Sequence, residues 1–295
     1  MNIQSLSVCV PARRCINDCV FCCSKMHEAD YEDCFTDILR YASYSEDLRK
    51  RLEYARENGC NTCMLTGNNE PQQNREFLRV FSEINRTLKQ PFLNIEMQTT
   101  GAFIDEEFLD FFRQAVGVTT VAISVACLDD DAHNREMIRT KDEGLNLARL
   151  CAAIRRRNMN LRICLNMNDG ILAHHEMVPD SVISLCSQLD ADQITFRALW
   201  APDDATEQGQ WIADHVTKTT HDFIRMLKQD IRSRGKYLDT LEYGADRYDY
   251  YGFSVVVDED SMAQEKDRKN AVKYLILRPN GHLYSKWDSK ASLIF

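Results

Sequence analysis

The 295-residue sequence predicts an α/β fold: a partial TIM-like barrel of six strand–helix repeats, (β/α)6, with a C-terminal α+β extension. Three observations lead to this prediction. Strand-like segments alternate with amphipathic helix-like segments up to about residue 200. One face of each later strand is polar or small, as where Arg162, Cys164 and Asn166 alternate with leucine and isoleucine. Beyond residue 200 the regular alternation ends.

The elements follow in order along the chain. The first strand covers 3–10 and leads into a cysteine-rich loop. A helix over about 45–58 stops at Gly59, and Asp105 is suited to cap a later helix. The remaining predicted strands are 61–66, 92–98, 118–125, 161–167 and 193–199, with helices after Pro71, from Asp105, around 147–154 and over 179–189. In the extension the sequence predicts a helix over 211–234, strands at 253–257 and 274–277, and a turn at 278–281 that returns the chain into 282–284.

The polar strand faces predict an internal cavity. A parallel sheet that is covered on both sides should show nearly continuous apolar runs. Here Glu96 and Gln98 alternate with Ile95 and Met97 instead. A barrel with its helices outside turns the polar face inward and leaves a polar, ligand-sized lumen. The alternative is a flat sheet with one solvent-exposed face, which parallel sheets seldom have.

Composition and charge limit the classes of partner. The formal net charge is −9, and the strongest basic run is only Arg155 to Arg157, so tight binding to nucleic acid or to anionic membrane is disfavoured. No apolar run approaches the ~20 residues that span a bilayer. Residues 1–10 lack the features of a signal peptide. We therefore expect a soluble, cytoplasmic protein.

The twelve cysteines all lie between Cys9 and Cys186. Without an export signal, a reducing compartment favours metal ligation or free thiols over disulfides. Cys15, Cys19 and Cys22 have C-x3-C-x2-C spacing. Three thiolates can hold three irons of a cubane cluster and leave the fourth iron open, whereas electron-transfer clusters and structural zinc sites use four protein ligands. The spacing therefore indicates that something other than protein completes the site.

This loop resembles the signature of the radical S-adenosylmethionine (SAM) superfamily. The family places the motif after the first strand, with an aromatic residue before the last cysteine, as Phe21 is here. The resemblance covers roughly residues 3–200. It implies a [4Fe–4S] cluster on Cys15, Cys19 and Cys22, with the amino and carboxylate groups of SAM on the open iron.

Further segments resemble the SAM-contacting parts of the family. Thr66 to Pro71 is similar to the family's Gly-Gly-Glu-Pro loop, which hydrogen-bonds the SAM amino group, although it has one glycine and one extra residue. The ending of the third strand, 96–101, resembles the family's polar strand ending. The SAM contacts that the resemblance implies are Gly67, Asn68, Asn69 and Glu70, with Ser124 near the methionyl or ribose part and Asn166 near the ribose or adenine. Arg197 on the sixth strand is a further candidate, for the SAM carboxylate, because a guanidinium pairs bidentately with a carboxylate. An ordinary structural hydrogen bond is the alternative at each position.

The resemblance implies an oxygen-sensitive enzyme that reductively cleaves SAM to a 5′-deoxyadenosyl radical, which then takes a hydrogen atom from a small-molecule or peptide substrate. An electron donor such as flavodoxin or ferredoxin would supply the electron. We expect a barrel core at 1–200 and an extension at 201–295 that closes the barrel. Because no cysteine follows Cys186, no auxiliary cluster is expected there. A polar loop at 129–139, which contains His133, and a loop with His174 and His175 should lie at the mouth of the barrel.

Two alternatives stay open at this point. One is an activase that installs a glycyl radical on a partner enzyme. The other is a non-catalytic zinc-binding module, for which Cys23 and His27 lie next to the motif and Cys60 and Cys63 have C-x2-C spacing. The cysteines outside the motif, Cys23 and Cys34 among them, are interpreted as packing residues or free thiols.

Overall fold

The computed structural model describes residues 2–12, 14–26, 41–199, 206–241, 244–259, 271–287 and 289–294. Its strands are β1 (Asn2–Cys9), β2 (Thr62–Thr66), β3 (Asn94–Thr99), β4 (Thr120–Val125), β5 (Asn160–Met167), β6 (Gln193–Ala198), β7 (Lys236–Thr240), β8 (Asp246–Tyr250), β9 (Phe253–Asp258), β10 (Ala271–Leu277) and β11 (Leu283–Tyr284). Its α-helices are α1 (Cys23–Met26), α2 (Tyr41–Glu57), α3 (Arg75–Arg86), α4 (Glu106–Asp110), α5 (Asp131–Ile138), α6 (Leu147–Arg155), α7 (Pro179–Gln188), α8 (Glu207–His215) and α9 (Lys218–Arg234). Short 3-10 helices cover Pro71–Gln73 and Lys290–Ser292, and α4 continues as a π-helix over Phe111–Val116.

The described strands form one sheet in the order β11-β10-β1-β2-β3-β4-β5-β6-β9-β8-β7. From β10 to β9, through β1 to β6, every neighbouring pair is parallel. Helices connect consecutive strands of the core, as the alternation in the sequence predicts. The predicted α/β class and parallel sheet are therefore confirmed.

The C-terminal region adds a strand to each edge of the six-stranded core. On one edge β9 pairs with β6, which sets Asp258 beside Arg197, and on the other β10 pairs with β1, which sets Tyr274 beside Ser5. Within the described residues β9 and β10 do not pair with each other, so the barrel is partial. One side-chain contact joins the mutually unpaired strands β9 and β10: Lys273 Nζ lies 3.4 Å from Asp258 Oδ1.

Two predicted segments differ in the structure. The single helix expected over 211–234 is two helices, α8 and α9. Thr217 lies between them, and its hydroxyl accepts a hydrogen bond from Thr219 N, which starts the second helix. The polar loop expected at 129–139 contains α5. Asp130 caps that helix by accepting hydrogen bonds from Ala132 N and His133 N, so a polar sequence still forms a helix there.

Polar strand residues face the inside of the partial barrel, as the alternation predicts. Glu96 and Gln98 of β3 and Arg162 and Cys164 of β5 line a cavity of about 280 Å³ at the lower, N-terminal end of the strands, the lower cavity. Arg162 forms an ion pair with Glu96 in this space. The alternating apolar residues of these strands, Ile95, Met97, Leu161, Ile163 and Leu165, are buried under the helices. The predicted polar lumen is confirmed.

The surface carries no free basic patch at the run singled out in the sequence. Arg155 pairs with Asp190 and Asp192, and Arg157 pairs with Asp110. None of the helices in the described ranges combines the length and apolar character needed to cross a bilayer.

Candidate functional site

A second cavity, the upper cavity, opens at the C-terminal ends of the strands and has a volume of about 250 Å³. The cysteine loop that follows β1 forms one wall. Cys15, Cys19 and Cys22 all line the cavity, and each is half-buried. The described cysteines are free of disulfides. Three thiols therefore face one cavity, as the spacing of the motif predicts.

Hydrogen bonds hold the cysteine loop against its neighbours. Gln73 accepts one from Ile16 N at 3.1 Å and donates another to Arg14 O at 2.7 Å. On the opposite side, Asp18 N donates to Ile138 O and Val20 N to Met137 O, at the end of α5. The loop is thus fixed by backbone contacts that do not use the thiols.

The environment of the thiols favours their protonated form in the absence of metal. Burial raises the pKa of Cys15 and of Cys19, and nearby groups such as Glu70 add to the effect. Burial and the neighbouring Cys23 raise the pKa of Cys22 to about 12. Binding a metal as thiolate must therefore release protons from this loop.

Glu70 braces the cysteine loop against the end of β3. Its carboxylate is buried, and within the described residues it accepts hydrogen bonds from five donors. Asn17 Nδ2 donates at 3.1 Å, Thr100 Oγ1 at 2.7 Å and Thr100 N at 3.1 Å, and the others are Gln72 Nε2 and Thr99 Oγ1. The carboxylate that the family resemblance directs at SAM is thus already saturated with protein donors.

Glycine is needed at Gly67 because the backbone there approaches the end of β1. A Cβ at this position would lie 3.3 Å from Val10 N and 3.4 Å from Val10 O. Val10 N donates to Thr66 O at 2.8 Å, and Asn69 Nδ2 donates to Val10 O at 2.7 Å. This close packing brings the 66–70 loop to the cysteine loop.

Three buried polar atoms on the walls of the upper cavity have no hydrogen-bond partner: Asn69 Oδ1, Ser7 Oγ and Arg197 Nε. Buried polar groups are usually paired, so these atoms mark places where a ligand can bind. Asn69 Oδ1 is an acceptor and suits an ammonium, while Arg197 is a cationic donor and suits a carboxylate. The cavity therefore offers an acceptor for an ammonium and a cationic donor for a carboxylate.

All ten predicted site residues line this one cavity. They are Cys15, Cys19, Cys22, Gly67, Asn68, Asn69, Glu70, Ser124, Asn166 and Arg197. Ser124 and Asn166 lie at the ends of β4 and β5, and Arg197 lies beside Asn166 on β6. The roles assigned to these residues remain predictions, but the fold brings them together.

The predicted histidines are not on the cavity wall. His175 Nδ1 lies 2.8 Å from Asp129 Oδ2, and His174 Nε2 lies 3.1 Å from Asp130 Oδ2. Burial opposes ionisation of Asp129, but hydrogen bonds from Ala173 N, His175 and His174 N outweigh it and lower the pKa of Asp129 to about 2. These hydrogen bonds tie the loop after β5 to the start of α5. His133 Nδ1 lies 3.6 Å from Glu136 Oε2 on its own helix.

Among the described residues, those that supported a zinc site do not assemble into one. Cys60 and Cys63 are buried and lie away from the upper cavity, and His27 and Cys34 fall outside the described residues. Across the described ranges, no three His, Cys, Asp or Glu side chains are arranged around a single metal ion. Thiols that ring a cavity without converging on one point fit a cluster, in which each thiolate binds a different iron.

Sequence reasoning singled out the strand ending 96–101, which contains Thr99 and Thr100, but it did not assign Asn17, Asp258 or Tyr274 to the site. Asn17, Thr99 and Thr100 form the buried network around Glu70, and Asp258 and Tyr274 complete the wall from β9 and β10. Asp258 ends an apolar strand segment, Val255 to Val257, and this is the one sequence signal that could have identified it.

Comparison with known proteins agrees with this geometry. The sequence profile of the radical SAM superfamily matches residues 9–178, which is more than half of the chain. A comparison with curated protein sequences gave no match.

Solved structures share the fold at low sequence identity. Coproporphyrinogen III oxidase (HemN) from Escherichia coli, a radical SAM enzyme, is 16% identical with a TM-score of 0.54, over 89% of this chain and 57% of HemN. Native anSMEcpe with bound AdoMet is 13% identical with a TM-score of 0.56, over 97% of this chain and 76% of that one. The chain thus spans little more than half the length of HemN. Taken with the three-thiol cavity, the profile match shows that the chain belongs to the radical SAM superfamily of enzymes.

Proposed function

We propose that this enzyme binds a [4Fe–4S] cluster through Cys15, Cys19 and Cys22 and cleaves SAM reductively in the upper cavity. The observation that carries the proposal is that the three thiols and the unpartnered atoms of Asn69 and Arg197 face the same space. Enzymes of the family use an iron–sulfur cluster and SAM, and they need a reductant and a substrate.

Different residues of the chain would bind different parts of SAM. Arg197 would pair with the SAM carboxylate, and Asn69 Oδ1, with backbone carbonyls of the 66–70 loop, would accept from the SAM ammonium. Ser124 and Asn166 would hydrogen-bond the ribose and adenine side. Glu70, saturated by its own donors, would position the cysteine loop relative to the 66–70 loop and would contribute its charge without direct contact.

When bound, the reduced cluster supplies the electron that breaks the carbon–sulfur bond of SAM and generates a carbon radical for hydrogen abstraction. The protein residues position the reacting groups and limit the access of water. Apolar residues Leu199 and Ile212 and the rings of Tyr274 and Trp287 also line the cavity. This apolar wall would shield the radical and contact a small-molecule or peptide substrate, with flavodoxin or ferredoxin as the electron donor.

We also propose that residues 1–200 form the barrel core and 201–295 the substrate side. Asp258, Tyr274 and Trp287, which all belong to the second part, line the cavity and support this division. An activase for a glycyl-radical enzyme would use the same residues and would differ in its substrate, a partner protein.

The test is an anaerobic purification, reconstitution with iron and sulfide, and reaction with SAM and dithionite. Wild type should yield 5′-deoxyadenosine, and Cys19→Ala should yield none. Cys151→Ala, which alters a buried thiol of α6 outside the cavity, is the matched control and should retain the product. A wild-type protein that retains zinc, shows no iron–sulfur absorbance and forms no product would overturn the proposal in favour of a zinc module.

A further inference from the structure

The upper cavity contains a fourth thiol that the three-cysteine motif does not use. Cys23 is the first residue of α1 and follows Cys22 directly. Its side chain is exposed, and it lines the same cavity as Cys15, Cys19 and Cys22. A thiol in this place is available to a molecule bound in the cavity.

The other described cysteines outside the motif do not share this position. All of them are buried, and none lines the upper cavity: Cys9, Cys60, Cys63, Cys127, Cys151, Cys164 and Cys186. Cys164 also lines a cavity, but that cavity is the lower one. Cys23 is thus the spare thiol of the upper cavity within the described part of the chain.

Independent features of the cavity point to a ligand next to this thiol. Ser7 is 0% exposed and Asn69 is 8% exposed, yet Ser7 Oγ and Asn69 Oδ1 have no hydrogen-bond partner and both residues line the cavity. Buried polar atoms of this kind are normally satisfied, here by a bound molecule. The exposed thiol and the unpartnered atoms therefore belong to one binding space.

We propose that Cys23 donates a hydrogen atom to carbon radicals generated in the upper cavity. The inference rests on the proposed function, because that function supplies the radical. An S–H bond is weaker than an aliphatic C–H bond, so transfer from the thiol to a carbon radical is downhill. A neighbouring serine or threonine hydroxyl, with its stronger O–H bond, cannot replace it.

The step balances in atoms and electrons. The S–H bond of Cys23 breaks, a C–H bond forms at the radical carbon, and a thiyl radical remains on the sulfur. One electron from the low-potential carrier that reduces the cluster, with one proton from water, restores the thiol. Cys23 would therefore act as a catalytic residue that quenches a radical intermediate by hydrogen-atom transfer.

The first test is isotopic and needs no identified substrate. The reconstituted enzyme is incubated in D2O with SAM and dithionite, and the deuterium in 5′-deoxyadenosine is measured by mass spectrometry. The thiol exchanges to S–D, so wild type should place one deuterium in the product. Cys23→Ser should lose most of that label, while Cys164→Ser, which changes the thiol of the lower cavity, should keep it.

Iron content and cluster absorbance are matched between variants before the comparison. Wild-type label in a fully loaded Cys23→Ser protein would overturn the proposal. Absence of 5′-deoxyadenosine in every variant would instead refute the proposed function, so the two failures are distinguishable.

A second test measures contact without turnover, and it uses wild type alone in case Cys23→Ser does not load a cluster. The holoenzyme without reductant is treated with N-ethylmaleimide, with and without SAM, and peptides are analysed by mass spectrometry. Cys23 should be alkylated without SAM and lose most of that labelling with SAM. Equal labelling in both samples would show that the thiol lies away from the bound cofactor and would overturn the proposal.

Discussion

Replacing Glu70 by alanine should both destabilise the fold and loosen the cysteine loop. The carboxylate is 5% exposed, and its principal donors, Asn17 and Thr100, are 4% and 9% exposed. Gln72 and Thr99 retain other partners, since Gln72 Nε2 also donates to Ala102 O at 2.8 Å. Thr100 N and the Thr100 hydroxyl lose their acceptor, and an unsatisfied buried donor costs about 1–3 kcal/mol.

Two such donors give an expected loss of about 4 kcal/mol in the free energy of unfolding, which is large for a single substitution. Urea denaturation of the metal-free protein, under reducing and anaerobic conditions, measures it. Glu70→Gln keeps the shape and one acceptor oxygen, so its loss should be about half as great. The iron bound after reconstitution should fall in the alanine variant, because Asn17 loses its hydrogen bond to Glu70 and keeps only the one to Thr100.

Glu143→Ala is the control, since Glu143 is exposed and its change should be within about 0.5 kcal/mol of wild type. A loss below about 1 kcal/mol for Glu70→Ala would refute the estimate for the buried network. A full loss with unchanged iron binding would refute the claim that Glu70 positions the cysteine loop.

Three further predictions follow from other features. Arg197→Ala should weaken SAM binding roughly 10- to 100-fold, because a charged hydrogen bond contributes about 1.5–3 kcal/mol. Isothermal titration calorimetry without reductant measures the Kd, and an unchanged Kd would contradict the proposed contact between Arg197 and SAM. Asp129 has a pKa of about 2 in the fold against 3.8 as the ordinary value, so its interactions should add about 2 kcal/mol above pH 4 and be lost as the pH falls towards 2. The unfolding free energy of Asp129→Asn, from denaturation curves, should therefore depend less on pH between 5 and 3 than that of wild type. The same pH dependence in both proteins would contradict this role of Asp129. Gly101→Ala and Gly59→Ala form a matched pair with φ of +88° and +89°. Both variants should lose about 1 kcal/mol in the free energy of unfolding, because alanine disfavours the left-handed backbone. Gly101→Ala should lose more, since its Cβ would lie 2.3 Å from Leu150 Cδ2, whereas nothing lies within 4 Å of a Cβ at Gly59. Equal melting temperatures of the two variants would show that Leu150 moves aside without penalty.

The sequence was sufficient to predict the parts of the site that depend on local spacing and on strand periodicity. The cysteine loop, the 66–70 loop and the inward polar residues each follow from a pattern within one segment. Ser124, Asn166 and Arg197 reach the cavity because each lies near the end of a parallel strand, where such ends meet.

The remainder depends on contacts between segments far apart in the sequence. Asn17 meets Thr100 and Glu70 across gaps of 83 and 53 residues, and no pattern in one segment predicts such a network. The break between α8 and α9 depends on one capping hydroxyl, Thr217, within an otherwise helical run. Asp258 becomes a site residue only because β9 joins the edge of the sheet at β6.

The pairing of β1 with β10 also has a consequence for how the protein folds. Ser5 lies beside Tyr274, so the strand that leads into the cysteine loop gains one neighbour only after residues 271–277 leave the ribosome. Contacts of such long range slow folding, because the entropy of a large loop must be lost first. Until then β1 presents an unpaired edge that can join a strand of another chain. Cluster insertion should therefore follow the emergence of β10, and truncation before β10 should yield aggregates.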